Sequence, residues 1–277
     1  MVKKLFFIIA LMSLPFPALA DNKYTSAYDR VMKTQTLRCG YSLYSPYFQK
    51  DINTEEFSGI FYDLTEELAK NAGLKVEWTE EVAFDDVFTG LNARRYDALC
   101  SSFWPNAIRA KVGSFTIPIA YSFVTAWVRI DEERFKNLSQ INVPETRIAI
   151  IDGAMESSIA QTDFPLATRV SSPGLTPFTD NFLKITSKKA DVTFVEPSLI
   201  KEYIAANPNT LKQLSPIPLR VFGNTIVIAK GEIELKELLD VGLNELLYSG
   251  RVEAILQKYE KYPGSFLRVA KPYEEAK

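Results

Sequence analysis

The sequence predicts an α/β protein built as two lobes. Strand-like and helix-like segments alternate from residue 37 to residue 100, which implies a parallel sheet with helices on its faces. The alternation restarts at residue 147, which implies a second unit of the same kind. Two β-branched segments, 121–130 and 221–229, lie between these units and read as extended crossings.

The first twenty residues stand apart. Lys3 and Lys4 give a basic start, residues 5–14 are apolar, and Ala18-Leu19-Ala20 precedes polar Asp21-Asn22. This is the pattern of a secretory signal peptide, too short to span a bilayer, with cleavage expected near Ala20. Pro15 and Pro17 argue against a buried N-terminal helix. Cys39 lies far from the cleavage site, so no lipid-anchored cysteine is expected. The expected product has 257 of the 277 residues and no second long apolar run, which suits a soluble protein outside the cytoplasm.

Residues 37–41 form the first expected strand, followed by a loop rich in Tyr, Ser and Pro over 42–57. Residues 63–72 form a helix, since Leu64, Leu68, Ala69 and Ala72 recur at helical spacing and Gly73 marks the stop. Residues 75–78 form a strand, 84–93 a short helix with Val87, Phe88 and Leu91 on one face, and 96–100 a third strand. In the second unit, 147–151 is a strand ending at Asp152-Gly153 and followed by a helix-like stretch, 191–195 is another strand, and 198–206 a helix. Leucines at 235, 238, 239, 243, 246 and 247 mark a helix over 234–248. Ser249-Gly250 breaks it, and 251–259 resumes.

Composition excludes several function classes. The chain has no histidine, which removes Ser-His-Asp and Cys-His catalysis and every His-ligated metal site; no metal or other cofactor is expected. Taking Lys3 and Lys4 from the 32 basic residues, against 34 acidic ones, leaves a net charge of −4. No basic block stands out, so nucleic acid is not an expected partner. The two cysteines could pair in an oxidising compartment or stay as buried thiols. In open parallel sheets ligands bind beyond the carboxyl ends of strands, so the loops after Tyr41, Cys100, Ile151 and Val195 are where a site is expected.

Four segments in order carry a resemblance. Residues 58–64 (Ser-Gly-Ile-Phe-Tyr-Asp-Leu) are similar to a Gly-Phe-Asp-x-Asp-Leu segment, and residues 91–98 (Leu-Asn-Ala-Arg-Arg-Tyr-Asp-Ala) to a Leu-x-x-Gly-x-Tyr-Asp-Ala segment. Phe115-Thr116-Ile117-Pro118 is similar to Phe-Ser-x-Pro, and residues 248–259 to a Gly-containing C-terminal helix pair. Together these resemble the polar amino-acid-binding family of periplasmic solute-binding proteins (bacterial extracellular solute-binding proteins, family 3), over about 36–262. The resemblance implies a two-lobed, type II periplasmic-binding-protein-like fold with two hinge crossings. Lobe 1 is then 21–122 with 220–277, and lobe 2 is 123–219. It implies a periplasmic, monomeric protein that holds an amino-acid-like small-molecule ligand between its lobes for an ABC transporter permease, with no chemistry performed.

The resemblance also implies a site. Arg109 lies twelve positions after Asp97, the family's spacing to its carboxylate-binding arginine, and a guanidinium can hold a carboxylate with two parallel hydrogen bonds. Asn106 is placed to cap the helix expected to bear Arg109. Ser102 offers a hydroxyl. Trp104 departs from the family's small polar residue and offers an indole wall or core packing instead. Glu196, ahead of Pro197, stands where the family binds the ligand's α-ammonium, or starts a helix as a carboxylate at its positive end. Tyr44, Tyr47 and Phe48 fall where the family sandwiches the ligand side chain, one of them expected in the core. Ala154 and Met155, after Gly153, keep backbone donors but lose the hydroxyls usual there; Thr176 or Thr179 is the candidate replacement. Cys39 and Cys100 fall on neighbouring strands in this fold, buried, where parallel geometry disfavours a disulfide. The alternatives are an enzyme on this fold, similar to cyclohexadienyl dehydratases with Glu196 as acid or base, or a ligand-sensing module.

Overall fold

The computed structural model describes residues 24–269; the expected leader and cleavage point lie outside the described residues. Two sheets organise the chain. The first runs in the order Lys75–Glu81, Thr36–Tyr41, Ala98–Phe103, Thr225–Ala229, Gly113–Phe115. Its first three strands are parallel, and Thr225–Ala229 joins antiparallel to Ala98–Phe103. All six residues of the central strand Ala98–Phe103 are buried, as expected for a strand covered on both faces. The second sheet runs Leu211–Gln213, Ala120–Arg129, Val192–Val195, Arg147–Ile151, Thr168–Ser172, with the last three parallel. These are the two α/β units expected from the sequence.

Helix Ile60–Asn71 starts three residues before the expected 63, because Ile60 and Phe61 belong to its buried face with Leu64, Leu68 and Ala69. Gly59 precedes it at φ 123°, and a Cβ there would lie 2.6 Å from the Tyr47 carbonyl, so only glycine fits. The C-terminal helices Ile233–Tyr248 and Arg251–Tyr259 pack back on it, so the first lobe is closed by the end of the chain. Two helices were not anticipated: Ala27–Thr34, capped by the Ser26 hydroxyl, and Thr179–Thr186.

The crossing Ala120–Arg129 is one long strand. Its first half pairs with Arg220–Gly223 and its second half enters the second sheet. A short C-terminal strand, Leu267–Arg268, pairs with Ala120 and Tyr121 and adds to the two expected crossings. Its two residues are too few to leave a periodic signal.

The cysteines are buried on neighbouring strands as expected, and the question of their pairing, which the sequence left open, is answered by the structure. Cys39 and Cys100 form a disulfide, with Cα atoms 5.4 Å apart and both residues fully buried. That separation lies inside the range a disulfide requires. The bond ties the strand that leads into the Tyr44 loop to the strand that leads into the Arg109 loop.

Candidate ligand-binding site

The carboxyl ends of both sheets face one another. Between them lies a cleft with about 390 Å³ of unfilled space, part of it open to solvent. Tyr44, Phe84, Ser102, Phe103, Trp104 and Arg109 line it from one side, and Ala154, Met155, Glu156, Phe178, Phe194 and Val195 from the other. The two sides approach closely. Gly153 has φ 76°, and a Cβ on it would lie 2.3 Å from the Asp85 backbone nitrogen. Any side chain at 153 would wedge the cleft open.

Arg109 begins a three-residue 3-10 turn, Arg109–Lys111, which replaces the helix expected to carry it. Pro105 and the short span before the next strand leave room for no more. Asn106 still accepts a hydrogen bond from the Arg109 backbone N–H at 2.8 Å, as expected of a cap. The Asn106 amide also reaches Ser158 across the cleft at 3.3 Å. The Arg109 guanidinium stacks 4.0 Å above the Phe103 ring and donates to the carbonyls of Trp104 at 2.6 Å and Gly153 at 2.5 Å. Burial lowers its pKa to about 10, with Glu156 acting in the opposite direction. Two carbonyl dipoles are a poor substitute for an anion at a desolvated guanidinium.

Two carboxylates are buried nearby. Glu196 occupies the N-cap position of helix Pro197–Ala206 without a side-chain capping bond, and its Oε2 accepts from the Tyr47 hydroxyl at 2.8 Å. Its Oε1 is buried without a hydrogen-bond partner. Burial pushes its pKa up to about 8 despite the Tyr47 bond. Glu196 lies just behind the cleft lining. Glu156 does line it, from the first turn of helix Met155–Asp163. Its Oε1 accepts from the Ile151 N–H at 3.2 Å and the Asn181 amide at 3.5 Å. Burial pushes its pKa up to about 8 as well, with Arg109 countering weakly. Sequence reasoning passed over Glu156; the signal was a carboxylate in the loop that normally carries hydroxyls.

The aromatics divide. Tyr44 lines the cleft and stacks on Tyr47 at 5.4 Å. Tyr47 is fully buried behind it, bonded to Glu196 and Ser122. Phe48 does not reach the cleft, which corrects its assignment. It stacks on Tyr41 at 4.9 Å and packs against Phe57, Tyr62 and Trp78. That burial is worth about 1.5–3 kcal/mol, enough to hold it in the core. Phe84 and Phe178 complete the aromatic wall instead, 5.9 Å apart. The loop expected to offer Thr176 or Thr179 offers Phe178; neither threonine lines the cleft.

Trp104 lines the cleft and packs, so both readings of it apply. Its ring stacks on Phe222 at 4.9 Å, and its Nε1 donates to the Asn224 Oδ1 at 2.7 Å. Asn224 sits between the crossing Arg220–Gly223 and strand Thr225–Ala229. It also accepts from the Ser102 hydroxyl at 2.8 Å and donates to Ser122 at 2.9 Å. The Ser102 hydroxyl is thus spent on the hinge. Ala154 and Met155 are buried at the cleft, as placed from the sequence. The Gly223-Asn224 pair, a turn-forming break within a β-branched run, was the readable trace of this hub.

Two lobes with strand ends facing across a cleft, a buried guanidinium and buried acids in and behind its lining, define a binding cleft for a small solute. The chain belongs to the bacterial extracellular solute-binding proteins, family 3, whose model matches residues 37–262. It is 35% identical over 125 residues to a probable amino-acid ABC transporter-binding protein of Haemophilus influenzae, covering 44% of this chain and 47% of that protein. It is 26% identical over 261 residues to the ABC transporter arginine-binding protein 1 of Escherichia coli, covering 93% and 97%. Among solved structures it resembles an ancestral amino acid-binding protein described as a precursor of cyclohexadienyl dehydratase, at TM-score 0.73 and 23% identity over 85% of this chain and all of that one. An amino acid ABC transporter substrate-binding protein of Streptococcus pneumoniae, solved with L-arginine, gives TM-score 0.71 and 22% identity over 88% and 100%. These structures bear on the fold. The named relatives are binding proteins, and the family acts outside the cytoplasm.

Proposed function

We propose that this chain captures a free amino acid between its lobes in the periplasm and delivers it unchanged, as a monomer, to an ABC importer permease. Lobe 1 comprises 21–122 and 220–277, lobe 2 comprises 123–219, and the leader is cleaved near Ala20. Arg109 carries the reading. It is a desolvated guanidinium, stacked on Phe103, whose fork is bonded to two carbonyls among the described residues, and Asn106 fixes its backbone. An α-carboxylate supplies the missing charge with two parallel bonds. The unpartnered Glu196 Oε1 receives the α-ammonium, and Tyr44, Trp104 and Phe178 wall the side chain. Neither side of the cleft satisfies both ends of a zwitterion, so the ligand favours the closed form.

A thermal-shift screen against amino acids, opines, small dicarboxylates and polyamines tests this. A ligand at 100 times its Kd stabilises by about 2.7 kcal/mol. Arg109→Ala should weaken any carboxylate hit by about 2–5 kcal/mol, read by calorimetry. Unchanged affinity would remove Arg109 from the site. A second reading, an enzyme, is favoured by one observation: Glu156 is a buried carboxyl at the cleft with its pKa near neutrality, as a general acid requires. Incubation of each hit with the protein and chromatography of the products decides it; recovery of the ligand unchanged is expected.

A further inference from the structure

The site holds one more acidic group than a zwitterion needs. Arg109 and Glu196 already account for an α-carboxylate and an α-ammonium. Glu156 is a second buried acid, 4% exposed, and it shares the cleft lining with Arg109. Its oxygens are held by a backbone N–H and a long contact to Asn181, and those of Glu196 by Tyr47 and Ser198. Arg109 is bonded to carbonyls. None of the three has a charged partner among these bonds. One base and one acid therefore line the cleft, with a second acid just behind the lining, and no ion pair ties any of them, although Arg109 and Glu156 attract weakly; a buried carboxylate without a bonded cation is costly.

A first-turn acid that served only the helix dipole would gain its fraction of a kcal/mol at the surface, where charge is cheap to keep. Glu156 is buried instead, in a lining it shares with the aromatic rings of Tyr44, Phe178 and Phe194, side chains of a type whose face can favour a cation. We infer that Glu156 is the specificity-determining residue of this site and that the ligand is a dibasic amino acid, whose side-chain cation Glu156 receives. This rests on the amino-acid reading above. A ligand with one negative and two positive charges matches Arg109, Glu196 and Glu156 one for one.

Arginine and citrulline have nearly the same shape and differ in the side-chain charge, so their affinity ratio isolates the claim. Calorimetry on the full chain should give a preference for arginine of about 30-fold or more, the low end of what a charged partner left unpaired costs. Glu156→Gln should cut the ratio at least tenfold, mainly by weakening arginine. If Gln impairs folding, judged by near-UV circular dichroism, Glu156→Thr removes the carboxylate with a smaller polar side chain and reads the same ratio. Equal binding of arginine and citrulline by the wild type would overturn the inference while leaving the amino-acid reading intact. So would an undiminished preference in the folded variant. Putrescine, a dication without a carboxylate, separates the other failure: putrescine binding as tightly as arginine would overturn the amino-acid reading itself, and this inference with it.

Discussion

The second-lobe strand Val192–Val195 carries an acid at each end, and the two could hardly be treated more differently. Asp191, just before it, accepts from Arg134 at 2.7 Å, from the Arg147 backbone at 2.8 Å and from the Arg147 guanidinium at 3.0 Å. Burial opposes its ionisation, but the bonds from Arg147 and Arg134 outweigh it and hold its carboxyl below the usual range. Glu196, just after the strand, has one strong partner in the Tyr47 hydroxyl and an orphaned oxygen, and burial pushes it up to about 8. The first lobe repeats the paired case at Asp97, which is buried and bonded to Arg30 and Arg38. Acids at the amino ends of these strands close the fold. Acids at the carboxyl ends are kept short of partners, the expected mark of a site waiting for one.

The sharpest way to break this contrast is to neutralise each acid in turn. Asp191→Asn should destabilise by about 3 kcal/mol, the low end for breaking a buried pair, because Arg134 and Arg147 keep some water. Ligand affinity should stay within about threefold, since Asp191 does not line the cleft. Glu196→Gln should do the reverse. Stability should hold, as burial already favours the uncharged form of this carboxyl in the ligand-free protein, while an amine ligand should lose about 2 kcal/mol, the scale of a charged hydrogen bond. Urea denaturation and calorimetry on both variants read the two effects. A stability loss in Glu196→Gln equal to that in Asp191→Asn would make both acids structural.

The same contrast marks what was legible in the sequence. Strand Arg147–Ile151 and helix Arg251–Tyr259 match their expected bounds, because a dense apolar run and a Ser-Gly break are local signals. Glu196 was readable as a helix start because Pro197 follows it, but its place at the site came only from the resemblance. Phe48 was not separable from Tyr44 and Tyr47, since three aromatics in one loop give no sign of which side each faces. The cleft walls Phe84 and Phe178 come from loops 94 residues apart and meet only in three dimensions. The disulfide depended on a Cα separation of 5.4 Å that no spacing rule supplies.

A third test uses pH, and the two classes of acid oppose each other in sign. Glu196 and Glu156 have folded pKa values of about 8, above the ordinary 4.5. Their contribution to stability is complete below pH 4.5 and is lost as pH rises through 8. Asp191, with a lowered pKa, contributes above the ordinary carboxylate value, and its contribution is lost as pH falls through the folded one. Between pH 5 and 8, then, the ligand-free protein should lose Tm as pH rises. Glu156→Gln and Glu196→Gln together should flatten that slope, and Asp191→Asn should leave it alone. A slope that survives the double variant would mean that neither acid is desolvated in solution.

The smallest expected effect concerns what holds Glu196 when no ligand is present. Tyr47 is the one strong donor to its carboxylate, and the same hydroxyl contacts Ser122 on the Ala120–Arg129 crossing. Ser122 in turn bonds Asn224, so the acid is linked through Tyr47 to the hinge. Tyr47→Phe keeps the ring and its packing against Phe61 and Phe266 but removes that link. The ligand-free protein should lose about 1 kcal/mol, the net worth of one buried hydrogen bond. An ammonium arriving at the free Oε1 relieves part of that loss, so the Tm gain on saturation should be larger in Tyr47→Phe than in the wild type. An equal gain would mean that Tyr47 and the ammonium act on Glu196 independently. A smaller gain would mean that the tyrosine positions the carboxylate for its ligand, and the hydroxyl would then belong to the binding site together with the acid it holds.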